Sequence, residues 1–78
     1  MYKRNGGEKV VIGKNIKFLL YDRDMLQSEL AAKAKVSEGM ISRIVREGKL
    51  PSVVTLDNIA KALGTTIDDL LHKELWRR

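Results

Sequence analysis

Most of the side chains in this sequence that could interact with a ligand are cations and hydrogen-bond donors. Few of them could act as nucleophiles in catalysis. The 78 residues include no cysteine and one histidine, His72. This composition excludes disulfides, thiolate metal sites and most histidine-based metal or Ser-His-Asp sites. No glycine-rich phosphate loop and no nucleophile–base pair is recognisable, and Asp68-Asp69 are better explained as residues of a first helical turn. The sequence therefore predicts no catalytic site, no metal and no cofactor.

The net charge of +5 is unevenly distributed along the chain. Residues 1–25 carry six basic and three acidic groups, residues 26–50 carry five and three, and the last 28 residues carry four of each. A mild basic excess is compatible with a merely soluble surface, but this distribution suits a nucleic-acid face backed by a packing or partner surface. No stretch approaches the ~20 apolar residues of a membrane span, and the N-terminus lacks the apolar segment of a signal peptide. We expect a cytoplasmic protein with no membrane contact.

Hydrophobic residues recur at helical spacing along most of the chain and predict five short helices without a strand. Residues 1–10 contain Gly6-Gly7 and three basic side chains but lack this pattern, and they are predicted to form a flexible basic arm. The domain is expected over residues 11–72, followed by a tail over residues 73–78. The residues predicted to face the core, helix by helix, are Ile12, Ile16, Leu19 and Leu20; Leu30, Ala31 and Ala34; Ile41, Ile44 and Val45; Val53, Leu56, Ile59, Ala60 and Leu63; and Ile67, Leu70, Leu71 and Leu75.

Capping residues mark the predicted helix ends. Ser37, Ser52 and Thr66 can each accept a hydrogen bond from the free N–H groups of the turn that follows. Gly64 lies just past the fourth helix, where a left-handed cap is expected. Only a tight turn fits between the second and third helices, so residues 27–46 form a helix-turn-helix.

The third helix of this pattern exposes a polar face. Ile41 and Ile44 seat it against the preceding helix, and Val36 fills the turn. A helix with one apolar and one polar face can enter a DNA major groove, which is about 12 Å wide. The residues left facing outward are Glu38, Gly39, Ser42, Arg43 and Arg46.

Residues 27–46 (QSELAAKAKVSEGMISRIVR) resemble the helix-turn-helix of the phage repressor and Cro family, also called the Cro/C1 or xenobiotic-response-element type. The resemblance covers roughly residues 12–71 without a gap. It implies an all-α, compact, five-helix domain like that of the lambda repressor, binding double-stranded DNA. The similar segments outside the motif are Ile12-Gly13 through Leu19, Pro51-Ser52, Thr55-Leu56, residues 59–64 and Asp69-Leu70-Leu71.

The resemblance also implies a role for individual positions. Gln27, at the start of the second helix, corresponds to a residue that bonds a phosphate. Arg43 is the leading base reader, because a guanidinium can bond guanine O6 and N7 together. Glu38 either accepts from cytosine N4 or serves only the helix N-terminus. The positions expected to reach base edges or nearby phosphates are Ser37, Glu38, Gly39, Ser42 and Arg43, and those expected to meet phosphates are Arg46 and Lys49.

The sequence departs from the family pattern at three places. Lys35 stands where the turn usually has glycine, so either Lys35 adopts a left-handed conformation at some cost or the turn has a different conformation. Leu26 stands where Ser or Thr often caps the second helix. Leu20 and Val45 replace a buried Arg–Glu ion pair, and replacing both partners by apolar residues is often neutral or stabilising. We therefore predict that Leu20 and Val45 touch.

The function implied by the resemblance is that of a transcriptional regulator, in particular a repressor that binds a palindromic operator as a homodimer. One alternative is an antitoxin that neutralises a toxin partner through its C-terminal helix and autoregulates its operon. Another is an enzyme that depends on Asp68 or Asp69. The basic arm, with Lys3, Arg4 and Lys9, either follows the DNA backbone or stays uninvolved. The predicted dimer surface consists of Leu70, Leu71, Leu75 and Trp76. The alternative for Leu70 and Leu71 is that one or both belong only to the core.

Overall fold

The computed structural model describes the backbone of residues 4–77 and the side chains of residues 11–77. In this part of the chain every regular element is an α-helix, which confirms the all-α prediction. The helices are α1 (Arg4–Asp22), α2 (Gln27–Ala34), α3 (Glu38–Glu47), α4 (Val53–Leu63) and α5 (Ile67–His72).

The first helix begins earlier than the sequence predicts. The backbone of residues 4–10 continues α1, so the predicted flexible arm is wrong there, while residues 1–3, including Lys3, lie outside the described residues. Each glycine costs a helix about 1 kcal/mol relative to alanine. Extending an existing helix avoids the cost of nucleation, however, and Gly6-Gly7 do not end α1.

The helices pack around one core. α1 lies against α3 and α5, α2 lies against α3 and α4, and α4 also touches α5. The prediction for Val53 is wrong: its side chain is 74% exposed, because α4 contacts the core only from Leu56 onward. The buried core consists of Ile12, Ile16, Leu19, Leu20, Leu30, Ala31, Ala34, Ile41, Ile44, Leu56, Ile59, Ala60, Leu63 and Leu70.

The predicted caps are present. The hydroxyl of Ser37 accepts from Met40 N at 3.1 Å, and that of Ser52 accepts from Thr55 N at 3.2 Å. Thr66 caps α5 in the same way. Gly64 has φ +71° and closes α4 in the left-handed conformation. Local chemistry therefore sets the helix ends that position the helix-turn-helix.

One polar side chain is buried in the core and holds the C-terminal tail. Asn15 is fully buried and its Nδ2 donates to the carbonyl oxygens of Leu70 at 2.8 Å and Lys73 at 2.6 Å, and more distantly to Asp69 at 3.3 Å. Its Oδ1 accepts from Leu75 N at 2.8 Å. Since the last carbonyls of a helix lack partners within the helix, Asn15 acts as the C-terminal cap of α5 and ties the tail to α1.

Candidate nucleic-acid interface

The second helix begins without a hydrogen bond from a capping side chain, as predicted from Leu26 at the position where Ser or Thr often caps this helix. Glu29 Oε1 instead accepts from Leu26 N at 2.8 Å. Gln27, half-buried, is the first residue of α2. Backbone N–H groups at a helix start favour anions, and the binding of a phosphate by Gln27 stays a prediction.

The turn between α2 and α3 contains a left-handed residue, the first of the two alternatives expected for Lys35. Lys35 has φ +60° and ψ +44°, and its N–H and that of Val36 bond back to Ala32 and Ala31. Val36 is half-buried against the core. A side chain in this conformation costs roughly 1–2 kcal/mol, and the rest of the fold maintains it. This turn fixes the direction in which α3 leaves α2.

The third helix separates apolar and polar residues as predicted. Ile41 and Ile44 are at most 1% exposed, whereas Arg43 and Arg46 on the opposite side are exposed. Ser42 is half-buried at the edge between the two faces. The remaining predicted DNA-binding residues near this helix, all exposed, are Ser37, Glu38, Gly39 and Lys49. The predicted residues within α3 therefore share its outer face by helical spacing, and the contacts of all the predicted residues with DNA stay a prediction.

The exposed cations on and after α3 form no salt bridge with a described carboxylate. Among the described side chains the salt bridges join Arg23 to Asp22, Lys61 to Asp57, Lys73 to Asp69 and Arg77 to Glu74. None of these involves a residue between 27 and 49. Arg43, Arg46 and Lys49 therefore carry positive charges that no carboxylate of the described chain neutralises, as a surface for phosphates requires.

The inner face of α3 rests on α1. Leu20 is 8% exposed and Val45 is half-buried against the core, so both face inward as the loss of the ion pair predicts. Their direct contact stays a prediction. Gly13 of α1 lies against the carbonyl of Val45 so closely that a Cβ added at Gly13 would lie 2.6 Å from the Val45 oxygen.

The predicted dimer surface needs a correction. Leu70 is fully buried inside one chain and cannot contribute to a surface. Leu71, Leu75 and Trp76 are half-buried, and the Lys14 ammonium lies 5.1 Å from the centre of the Trp76 ring. These three residues remain accessible in part, and their contact with a second chain stays a prediction.

Sequence reasoning missed the exposure of three apolar side chains near the start of α4 and the role of two residues that form tertiary hydrogen bonds. Leu50, Val53 and Val54 are 55%, 74% and 72% exposed; Val53 was misleading because it lies three residues before the buried Leu56. Asn15 had a usable signal, being a lone polar residue inside the apolar stripe of α1. Arg23, whose Nε donates to Leu63 O at 2.7 Å, had none.

The acidic pair considered for an enzyme lies in the first turn of α5, as predicted, and the Asp69 carboxylate is 3.3 Å from Lys73 Nζ. Within the described residues no group of three or more histidine, aspartate or glutamate side chains could hold a metal ion. Over the same residues no helix is long and apolar enough to cross a bilayer.

Comparison with known proteins identifies close similarities. The family model described as Helix-turn-helix (HTH_3) matches residues 17–70. The chain is 32% identical over 65 residues to the immunity repressor protein of Bacillus phage phi105, a match that covers 83% of this chain and 45% of the repressor. The chain thus spans less than half the length of that relative.

Two solved structures share the fold. The clp gene regulator ClgR from Corynebacterium glutamicum superposes with a TM-score of 0.75 at 26% identity, covering 87% of this chain and 72% of that chain. A chain of the SinR protein–SinI protein complex gives a TM-score of 0.73 at 31% identity, covering 81% of this chain and 62% of that chain.

Proposed function

The chain belongs to the Cro/C1-type helix-turn-helix family of DNA-binding transcriptional regulators, and from that premise we propose that it is a cytoplasmic repressor that binds a palindromic operator as a homodimer. The observation that carries the proposal is the outer face of α3. Its cations are exposed and unpaired by any described carboxylate, while Ile41 and Ile44 hold its inner face in the core.

The length of α3, which we call the reading helix, suits an element that enters a DNA groove. Its ten residues extend about 15 Å, and its polar face can enter a major groove about 12 Å wide. In the proposed complex Arg43 bonds guanine O6 and N7, and Ser42 bonds a neighbouring base edge. Glu38 accepts from cytosine N4.

Gly39 supports a close approach of the backbone to DNA. A Cβ at this position would have only the Ser37 hydroxyl nearby, at 3.9 Å, so packing does not require glycine. Helix propensity disfavours glycine by about 1 kcal/mol relative to alanine. We infer that the missing side chain serves the interface, where Gln27, Arg46 and Lys49 fix the position of α3 by binding phosphates.

A homodimer follows from the small number of base-reading residues on one chain. Two copies on half-sites one helical turn apart, about 34 Å, double these contacts and produce a palindromic operator. We propose that Leu71, Leu75 and Trp76 form the contact between copies. Leu50, Val53 and Val54 are the rival surface, since they are apolar and exposed.

The contacts that the C-terminal tail makes with α1 favour the repressor over the antitoxin alternative. That alternative expects a tail that becomes ordered on binding its partner, whereas Asn15 and Lys14 already hold Leu75 and Trp76 to α1 in the single chain.

Selection of binding sites from a random DNA pool by the full chain tests the proposal. We expect a palindromic consensus. A consensus without a two-fold axis would overturn the homodimer, and the absence of any enrichment would overturn DNA recognition itself. Arg43→Ala should lose preference at one position of each half-site. Lys61→Ala removes an exposed cation on α4 that is paired with Asp57, and this control should select the parental consensus.

A further inference from the structure

α1 and α3, the proposed DNA-reading helix, approach each other closely at Gly13. A Cβ built on this residue would lie 2.6 Å from the Val45 oxygen, 3.4 Å from the Val45 carbonyl carbon and 3.5 Å from the Ile44 oxygen. All of these are backbone atoms of the last turn of α3, so no side-chain rotation can relieve the contact. Only glycine allows α1 and α3 to lie at this distance.

The contact falls on a part of α3 that the helix cannot stabilise by itself. The last carbonyls of a helix have no partner in the helix. The Ile44 oxygen accepts from Gly48 N at 2.9 Å, and the Val45 oxygen lies over Gly13, whose Cα–H groups can make weak contacts with it. The other end of α3 is held by the Ser37 cap. The reading helix is therefore fixed at both ends, and Gly13 determines its C-terminal position.

We propose that Gly13 is a positioning residue for DNA recognition: it sets the depth and tilt of α3, and through them the reach of Arg43 and Arg46. This inference rests on the proposed DNA-binding function. A methyl group at Gly13 requires α3, α1 or both to move apart by about 0.4 Å to reach a separation of 3.0 Å, and by about 0.8 Å to reach ordinary contact at 3.4 Å. Recognition geometry has to be held within about 0.5 Å, so a movement of this size is comparable with the tolerance.

The readout that separates positioning from mere stability is the ratio of affinities for specific and non-specific DNA. A loss of folded protein reduces the apparent affinity for both by the same factor, and the factor cancels in the ratio. A displaced α3 lowers only the specific affinity, since phosphate contacts tolerate small shifts of a flexible side chain. We expect Gly13→Ala to lower the ratio by about fivefold to 150-fold, the range for one lost bidentate base contact.

The test is competition binding of the full chain between the selected consensus duplex and a scrambled duplex of equal length and composition, at low salt where both complexes form. Gly13→Ala is compared with Ile59→Val, which weakens the core from α4 and leaves the contact between α1 and the end of α3 unchanged. Arg43→Ala serves as the positive control. Positioning predicts a reduced ratio for Gly13→Ala and the parental ratio for Ile59→Val.

An unchanged ratio for Gly13→Ala, with the parent discriminating between the duplexes, overturns this inference alone. An equal fall for Gly13→Ala and Ile59→Val also overturns it, because the effect would then reflect general weakening of the core. If the parent does not discriminate, the proposed function fails and this inference fails with it.

Discussion

Replacing Asn15 should destabilise the fold more than any other polar substitution in the described chain, because its amide satisfies both the end of α5 and the tail. In Asn15→Ala the carbonyls of Leu70 and Lys73 and the N–H of Leu75 lose their partner, at a site that is buried at Leu70 and partly buried at Lys73 and Leu75. Each buried polar group left unsatisfied costs about 1–3 kcal/mol. Water entering the cavity recovers part of this, so we expect a net loss of about 2–4 kcal/mol.

Such a loss is large for a chain of this size. A domain of 78 residues has a total stability of roughly 4–12 kcal/mol at 0.05–0.15 kcal/mol per residue. Each kcal/mol shifts the Tm of a domain this small by about 4–8 °C. The expected fall in Tm is therefore at least about 8 °C and is measured by thermal and urea unfolding followed by circular dichroism.

Asn15→Asp separates the hydrogen-bonding role from simple loss of volume. The introduced carboxylate has nearly the same shape but cannot donate, and it faces carbonyl oxygens at the negative end of α5. Burial among these oxygens raises the pKa of the introduced carboxyl above its unfolded value of about 3.9. The variant is thus most stable below that unfolded pKa and loses stability as the pH rises through the folded pKa. At pH 7 it should be less stable than Asn15→Ala.

Asn58→Asp provides the matched control, since it makes the same chemical change at a half-buried position of α4. Changes away from such networks are usually within about 0.5 kcal/mol. If Asn15→Asp were as stable as Asn15→Ala at pH 7, or gained stability between pH 4 and pH 7 relative to the parent, the assigned hydrogen bonds would be wrong.

Three further substitutions test the turn, the phosphate contacts and the dimer surface. Lys35→Gly should raise the free energy of unfolding by about 1 kcal/mol, because glycine adopts the left-handed conformation without the side-chain penalty; a loss in urea unfolding would contradict this. Arg46→Ala should weaken binding to all duplexes alike and reduce the slope of log affinity against log salt by about 0.9 for each copy bound, about 1.8 for the dimer, and a change confined to one sequence would instead indicate base reading. Trp76→Ala should shift sedimentation toward the monomer while Val53→Ser does not; the reverse result would assign the dimer contact to the rival surface.

Features governed by neighbours in the sequence could be predicted, and features governed by distant contacts could not. The caps at Ser37, Ser52 and Gly64 and the left-handed Lys35 depend on a few adjacent residues. The fold itself followed because its apolar residues recur at helical spacing.

Asn15, by contrast, bonds residues 54 to 60 positions away, and the glycine at position 13 is needed only because α3 passes there. The burial of Leu70 and the exposure of Val53 show the same limit: helical spacing identifies an apolar face but does not show how far along the helix the core extends. The candidate DNA-binding residues could be located because a helix-turn-helix has few residues facing outward. Their partners on DNA depend on a molecule that the sequence does not describe.

Recognition by this chain should depend on how α3 is held as much as on the groups it carries. The candidates for base reading are few, with Arg43 and Ser42 the main ones and Glu38 a third on the outer face of α3. When so few contacts provide discrimination, a shift of the whole helix affects all of them at once, and no other contact can compensate. Substitutions that move α3 should therefore lower the ratio of specific to non-specific affinity more than the affinity for non-specific DNA. Loss of the cations Arg46 and Lys49, which are proposed to bind phosphates, should lower the affinity for all DNA more than it lowers this ratio.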